Sequence, residues 1–254
     1  MGYLHVKVGY SCATAALVLA SRPVLLVTAI FSPVLFSPLL FLPIIAHAEL
    51  SDISRIYRQM PSLNQFEICQ GGGCVVATKT SLTELEWNAV TRIFSKPASH
   101  AEDKIAEDRT AEDRTAVVER QKIAQAIGVL EDIIGKKIGT SADLAGTFFD
   151  GKLAGQQDCN DEAINTTTYV RLLKEHGFVQ LHEIEDLRTR NFFFTGWPHT
   201  TAVIRDIKTN ERYAVDSWFY DNGHAATIVP FATWKANYVP SDSPIGRLSK
   251  AQAK

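Results

Sequence analysis

Three regimes of hydrophobic patterning follow one another along the 254-residue chain. Between Pro23 and Ala48 no charged residue interrupts an apolar run, although Pro33, Pro38 and Pro43 break it at intervals of five. From Ser81 to Gly177 apolar positions recur at helical spacing. Ser81-Leu82-Thr83-Glu84 reads as a capping box opening a helix through Phe94, with Leu85, Val90 and Ile93 on its core side and Pro97 closing it. Val117, Ile123, Ile127, Leu130 and Ile134 form a second stripe ending near Gly135. Ala163, Thr167, Val170 and Leu173 form a third, stopped by Gly177, so this helix is expected to bury one stripe. Beyond Gly177 the period drops to two. Residues 178–184, 201–207 and 212–218 read as strands, with Lys208-Thr209-Asn210-Glu211 as a turn.

The remaining segments are weaker signals. Ile53, Ile56, Tyr57 and Met60 give residues 49–64 a faint helical pattern, ended by Pro61. Phe66-Glu67-Ile68 and Val75-Val76-Ala77 read as short extended pieces around Gly71-Gly72-Gly73. No Lys-Ser/Thr follows those glycines and GxGxxG spacing is absent, so they make a turn and not a phosphate cradle. A five-residue repeat (Ala-Glu-Asp) over 101–115 matches no helical period and reads as a solvated insertion. Residues 138–155, with Leu144, Phe148 and Phe149, read as a loop. Helices first and antiparallel strands after predict an α+β fold with helices packed on a sheet. The expected divisions are 1–48 as leader, 49–140 as a mainly helical region, 141–240 as the core and 241–254 as a disordered tail.

Composition adds a compartment. Lys7 and Arg22 precede the uncharged run and Ala46-His47-Ala48 is an A-x-A site, the pattern of a cleaved signal peptide. If uncut, residues 23–45 would associate the chain with the inner membrane. Either outcome predicts a periplasmic or secreted domain. Loss of residues 1–48 removes Lys7 and Arg22 from the 26 basic residues and nothing from the 28 acidic ones, leaving a net charge of −4. That balance excludes a phosphate-binding surface for nucleic acid. Cys12 leaves with the leader. Of the three remaining cysteines, Cys69 and Cys74 flank the glycine loop and are expected to form a disulfide, which leaves Cys159 alone.

Cys159 stands where a nucleophile would. Asp158 is a good N-cap, and Asp161 and Glu162 suit the positive end of the helix. A thiol at that terminus is expected to be acidified from its free value near ~8.5. It needs a base and an orienting group. Five histidines are available (His100, His176, His182, His199 and His224), and His199 lies at the mouth of a strand. Asp216 lies in the otherwise apolar Tyr213-Ala214-Val215-Asp216-Ser217-Trp218, where a carboxylate is costly unless paired. In an antiparallel hairpin, cross-strand partners share a constant index sum. Two-residue turns centred between residues 207 and 210 place His199 and Asp216 on one face. Gln156 and Gln157 are the nearby side-chain candidates for an oxyanion donor, and Trp197 for a wall of the cleft. The scattered histidines and the lack of a second cysteine pair give no zinc pattern, and no metal or cofactor is expected.

The order of these residues resembles the transglutaminase-like branch of the papain-type cysteine enzymes. The resemblance rests on Asp158-Cys159-Asn160-Asp161-Glu162-Ala163, on His199-Thr200-Thr201-Ala202-Val203-Ile204 and on Tyr213-Ala214-Val215-Asp216-Ser217-Trp218. It implies Cys159 as nucleophile, His199 as base and then acid, and Asp216 as the group orienting the imidazole. The Gly-Gln-Cys-Trp of the animal enzymes is absent, as is a calcium loop with regularly spaced acids. The bacterial transglutaminase-like cysteine proteinases of the periplasm are more similar. The activity implied is hydrolysis of a peptide or amide bond in a protein or peptide substrate, through a thioester. The alternatives are an inactive binding module of the same fold and a cell-wall peptide amidase, since NlpC/P60-type enzymes also open a helix with Asp-Cys.

Overall fold

The computed structural model describes residues 56, 58–95, 111–148, 154–190 and 198–247. Trp197, His100, Phe149, the leader and most of the 101–115 repeat lie outside them. The chain divides into Met1–Pro43 and Ile44–Lys254, and every described residue belongs to the second unit. Among the described residues no helix is long and apolar enough to cross a membrane.

The architecture is α+β. A two-stranded ribbon, β1 (Phe66–Gln70) and β2 (Val76–Thr80), precedes α1 (Glu84–Ser95), α2 (Ala111–Ile138) and α3 (Cys159–Glu175). A four-stranded antiparallel sheet follows in sequential order: β3 (His182–Arg190), β4 (His199–Asp206), β5 (Arg212–Asp216) and β6 (Thr227–Pro230). The short helix α4 (Phe231–Lys235) comes directly after β6.

The ends of α1 show how local chemistry sets an element. Its capping box is Thr83 with Glu86: the Thr83 N–H donates to Glu86 Oε2 at 2.7 Å, and the Glu86 N–H donates to Thr83 Oγ1 at 3.3 Å. This is two residues later than the box expected from Ser81. The shift turns Leu85 outward, 73% exposed, and brings Trp87 into the core with Val90 and Ile93. Helix α2 carries its stripe as expected but continues past Gly135 to Ile138.

Helix α3 is central, and every residue from Asp161 to Val170 is buried. A single buried stripe was the expectation. The polar side chains are accommodated because each finds a partner. Asn165 exchanges two hydrogen bonds with the Cys69 main chain, at 2.7 and 2.8 Å. Thr167 and Thr168 donate back to the carbonyls of Ala163 and Ile164. Thr166 meets Ser217 at 3.0 Å. The main core forms where α2 and α3 pack together with the sheet, through Ile123, Ile127, Leu130, Leu172, Leu173 and Ile204.

Strand β3 starts at His182, later than the 178–184 run suggests. Residues 178–179 instead follow the helix stop at Gly177, where φ is 77°, and Phe178 packs its ring 4.8 Å from Phe94. At the start of β3, His182 is fully enclosed by charged residues. Arg120 Nη1 approaches its Nε2 at 2.8 Å, Glu119 Oε1 lies 2.8 Å from its Nδ1, and Arg120 also pairs with Asp206 at 3.4 Å. This network ties α2 to the β3–β4 hairpin. Within residues 241–247, past the core boundary expected at 240, Ser243 is fully buried and Ile245 packs against the cluster around Trp218, and the rest of the tail lies outside the described residues.

Candidate functional site

The site begins with how the chain delivers Cys159. Gly155 has φ of 79°, and a Cβ there would collide with the Gly139 carbonyl, so the loop leading to α3 can pass only as glycine. Asp158 then caps the helix, its Oδ1 accepting the Asn160 and Asp161 N–H groups at 2.9 Å each. Asp161 reciprocates, accepting the Asp158 N–H at 3.2 Å, which completes a capping box.

The disulfide loop locks this helix end. Cys69 and Cys74 are bonded, with their Cα atoms 4.6 Å apart. Between them Gly72 and Cys74 donate main-chain N–H groups to the two oxygens of Asp161 at 2.7 and 2.6 Å, and Gly73 donates to Asp158 at 3.0 Å. Burial and the charge of Asp158 push the Asp161 carboxyl up to about 7, against the pull of those donors. Donor atoms of Cys69, Cys74 and Asp161 lie within 4.8 Å of one another. The sulfurs are bonded together and the carboxylate oxygens accept N–H groups, so the trio forms a clamp on the helix terminus.

Cys159 is the free cysteine among the described residues, and it is buried. Burial pushes its thiol up to about 11. The N–H groups of Thr200 and of Cys159 itself pull the value down, while Asp158 and Asp216 add to the rise. The acidified thiol expected from a helix N-terminus is therefore not what this environment produces, because desolvation outweighs the dipole. The Thr200 N–H contact places the sulfur beside the residue that follows His199.

The β4–β5 register pairs Ala202 with Val215 and Val203 with Ala214, which sets His199 and Asp216 on one face, offset by two. His199 Nε2 lies 2.6 Å from Asp216 Oδ2, and both side chains are almost wholly enclosed. Three rings surround the imidazole: Trp218 at 4.5 Å, Phe219 at 5.4 Å and Trp234 at 5.6 Å between centroids. Cys159 packs in the same cluster as those three rings. The other ring nitrogen, His199 Nδ1, is buried and has no hydrogen-bond partner among the described residues.

Trp234 shares this carboxylate. Its indole N–H donates to Asp216 Oδ2 at 2.7 Å, the same oxygen that meets His199. An indole can only donate, so this oxygen accepts from it. A neutral ring facing an ionised Asp216 carries its proton on Nε2 and a lone pair on Nδ1.

The glutamines are occupied elsewhere. Gln156 Oε1 accepts from the Leu144 N–H and from Thr147 Oγ1, and its Nε2 donates to the Ala142 carbonyl. Gln157 donates to the Cys69 carbonyl at 2.8 Å. Both order the approach to α3. The other described histidines are engaged too: His176 Nδ1 contacts the Leu172 carbonyl, and His224 stacks on Tyr220.

Three features went unread in the sequence. The first is Trp234, on α4. The second is Arg190, directly across β3–β4 from His199, whose Nη1 holds the Trp234 and Tyr238 carbonyls at 3.0 and 3.1 Å. The third is a buried carboxyl group behind the site, made of Glu131, Asp143 and Glu162. Ser217, next to Asp216, donates to Glu162 Oε2, and the Gly223 N–H donates to Glu131 at 3.1 Å. Burial raises Glu131 to about 8 and Asp143 to about 6, and lifts Glu162 well above the carboxylate range. An acidic residue in the first turn of α3 signals helix capping, which hides the part Glu162 plays in this cluster.

Comparison with protein-family models, with curated proteins and with solved structures finds no match to this chain.

Proposed function

We propose that the chain is an exported cysteine hydrolase of transglutaminase-like fold, acting on peptide or amide bonds. One observation carries the reading: a buried imidazole, fixed by a carboxylate through Nε2 and packed on the aromatic cluster that holds Cys159, has an Nδ1 without a partner among the described residues. A polar atom left without a partner in such a place is expensive unless it has a role.

Because the resting thiol is neutral, proton transfer accompanies attack. His199 Nδ1 takes the thiol proton as Sγ bonds to the substrate carbonyl carbon. The Cys159 main-chain N–H, at the first position of α3, stabilises the developing oxyanion. His199 then gives the proton to the leaving amine as the C–N bond breaks and a thioester forms. Water attacks the thioester with His199 again accepting a proton. The acid product leaves and the thiol is restored. Asp216 stabilises the imidazolium in both halves.

Export is supported by the uncharged leader with its A-x-A site and by a disulfide that oxidising compartments favour. The binding-module alternative draws on the enclosure of the thiol. Incubation with casein and with peptidoglycan fragments, comparing wild type with Cys159→Ala, separates the readings. Protein cleavage lost in the variant is the expected result. Cleavage of peptidoglycan peptides alone makes the chain a cell-wall amidase, and no cleavage of either substrate contradicts the hydrolase.

A further inference from the structure

Helix α4 contains a tryptophan that reaches the triad although nothing in its own segment calls for a polar role. Trp234 is fully buried and its N–H ends on the one Asp216 oxygen that also receives His199. We propose that Trp234 is a positioning residue: its indole N–H holds the Asp216 carboxylate in the orientation that leaves His199 Nδ1 as the free base. The catalytic part of this statement rests on the hydrolase reading, whereas the hold on the imidazole tautomer does not.

The surroundings of Trp234 fit a part built to hold one geometry. Phe231 stacks on the indole, with centroids 5.6 Å apart and planes at 21°. The Arg190 guanidinium sits 5.0 Å over the ring while its Nη1 binds the Trp234 carbonyl at 3.0 Å. Arg190 is also the cross-strand partner of His199. The same β3 position therefore anchors the indole at one end and flanks the imidazole strand at the other. The carboxylate is fixed from both sides, by a histidine on β4 and a tryptophan on α4. Removal of the indole donor frees Asp216 to rotate about its χ angles, and the Nε2–H tautomer loses its selection.

Trp234→Phe keeps an aromatic ring under Arg190 and deletes the donor together with part of the indole volume. Long-range nitrogen–proton NMR of His199 reads the tautomer directly, and iodoacetamide labelling of Cys159 between pH 5 and 9 reads the base. The expected result is a single Nε2–H tautomer in wild type, a mixture in the variant, and labelling slowed about tenfold at pH 6.5, the size of a lost hydrogen bond to a charged group. If Trp234→Phe does not fold, replacement of the indole by 3-benzothienylalanine, isosteric and lacking the N–H, gives the same test. An unchanged tautomer together with an unchanged labelling profile overturns the proposal. If the tautomer shifts while labelling of wild type, His199→Ala and Trp234→Phe is identical, positioning stands and the hydrolase reading falls.

Discussion

Among the described residues two histidines, His182 and His199, are buried against carboxylates, and they differ in what the second ring nitrogen meets. His182 is fully enclosed, with Arg120 on Nε2 and Glu119 on Nδ1, both at 2.8 Å. Arginine can only donate, so Nε2 accepts, and Nδ1 carries the proton toward Glu119. Both nitrogens are satisfied, and the ring serves as a joint between α2 and the sheet. His199 is held the other way round: Nε2 faces Asp216, and Nδ1 has no partner among the described residues, with the ring packed on the aromatic cluster that includes Cys159. Burial and an acidic neighbour are common to the two sites. The difference lies in the second ring nitrogen, which is paired in His182 and has no partner among the described residues in His199.

Substitution should separate the pairs most sharply. His199→Ala is expected to slow Cys159 alkylation at neutral pH at least about 100-fold, the low end of general-base contributions. The fold should lose less than in His182→Ala: Asp216 is left buried, but it keeps the Trp234 N–H. His182→Ala should do the reverse. It leaves the buried Arg120 and Asp206 and the half-buried Glu119 each with a partner missing, at a cost of about 3 kcal/mol in urea unfolding. Labelling of the folded fraction should stay at the wild-type rate. If His182→Ala slows labelling as much as His199→Ala does, the distinction between the two sites fails.

The buried carboxyls predict a pH dependence with a definite sign. Glu131, Asp143 and Glu162 all have folded pKa values above their ordinary ones. Asp221 adds to the rise in Asp143, and Tyr169 is raised by burial, with Glu131 and Glu162 adding to it. The folded state thus binds more protons than the unfolded chain across the window between, and stability falls as pH rises. The contribution is complete below the ordinary carboxyl range. It is lost as pH climbs through about 6 for Asp143 and about 8 for Glu131. Glu162→Gln, whose amide can still accept from Ser217, should flatten the melting temperature between pH 5 and 9. A melting temperature that rises with pH in the wild type would contradict the arrangement. A smaller effect is expected at the surface. Thr83→Ala removes the box that opens α1 and should cost about 1 kcal/mol with no change in Cys159 labelling.

What the sequence disclosed and what it hid divide along range of interaction. The start and stop of α3 are local matters of a cap, an acid and a glycine, and Asp158, Asp161 and Gly177 sit where those residue types imply. The Cys69–Cys74 bond followed from an odd cysteine and a glycine loop. His199 and Asp216 share a face because side-chain parity survives small changes of register. β3 was misplaced because it is an edge strand in which Glu183, Glu185, Asp186 and Arg188 obscure period two, with a bulge between Glu185 and Arg188. The capping box of α1 was misread because Ser81 and Thr83 each precede a glutamate by three residues, and packing of Trp87 decides between them. Trp234 stands 18 residues from Asp216, and only the return of β6 and α4 brings the indole to it.

The most direct test of the account is the rate of Cys159 alkylation by iodoacetamide at pH 6.5, in wild type and in the folded fraction of His199→Ala. The thiol, raised to about 11 by burial, is too weak an acid to react there unaided. Reaction of the wild type at least about 100-fold faster than the variant would show that Nδ1 removes the thiol proton. Equal and slow labelling of both would mean that sulfur and ring are buried neighbours without shared chemistry.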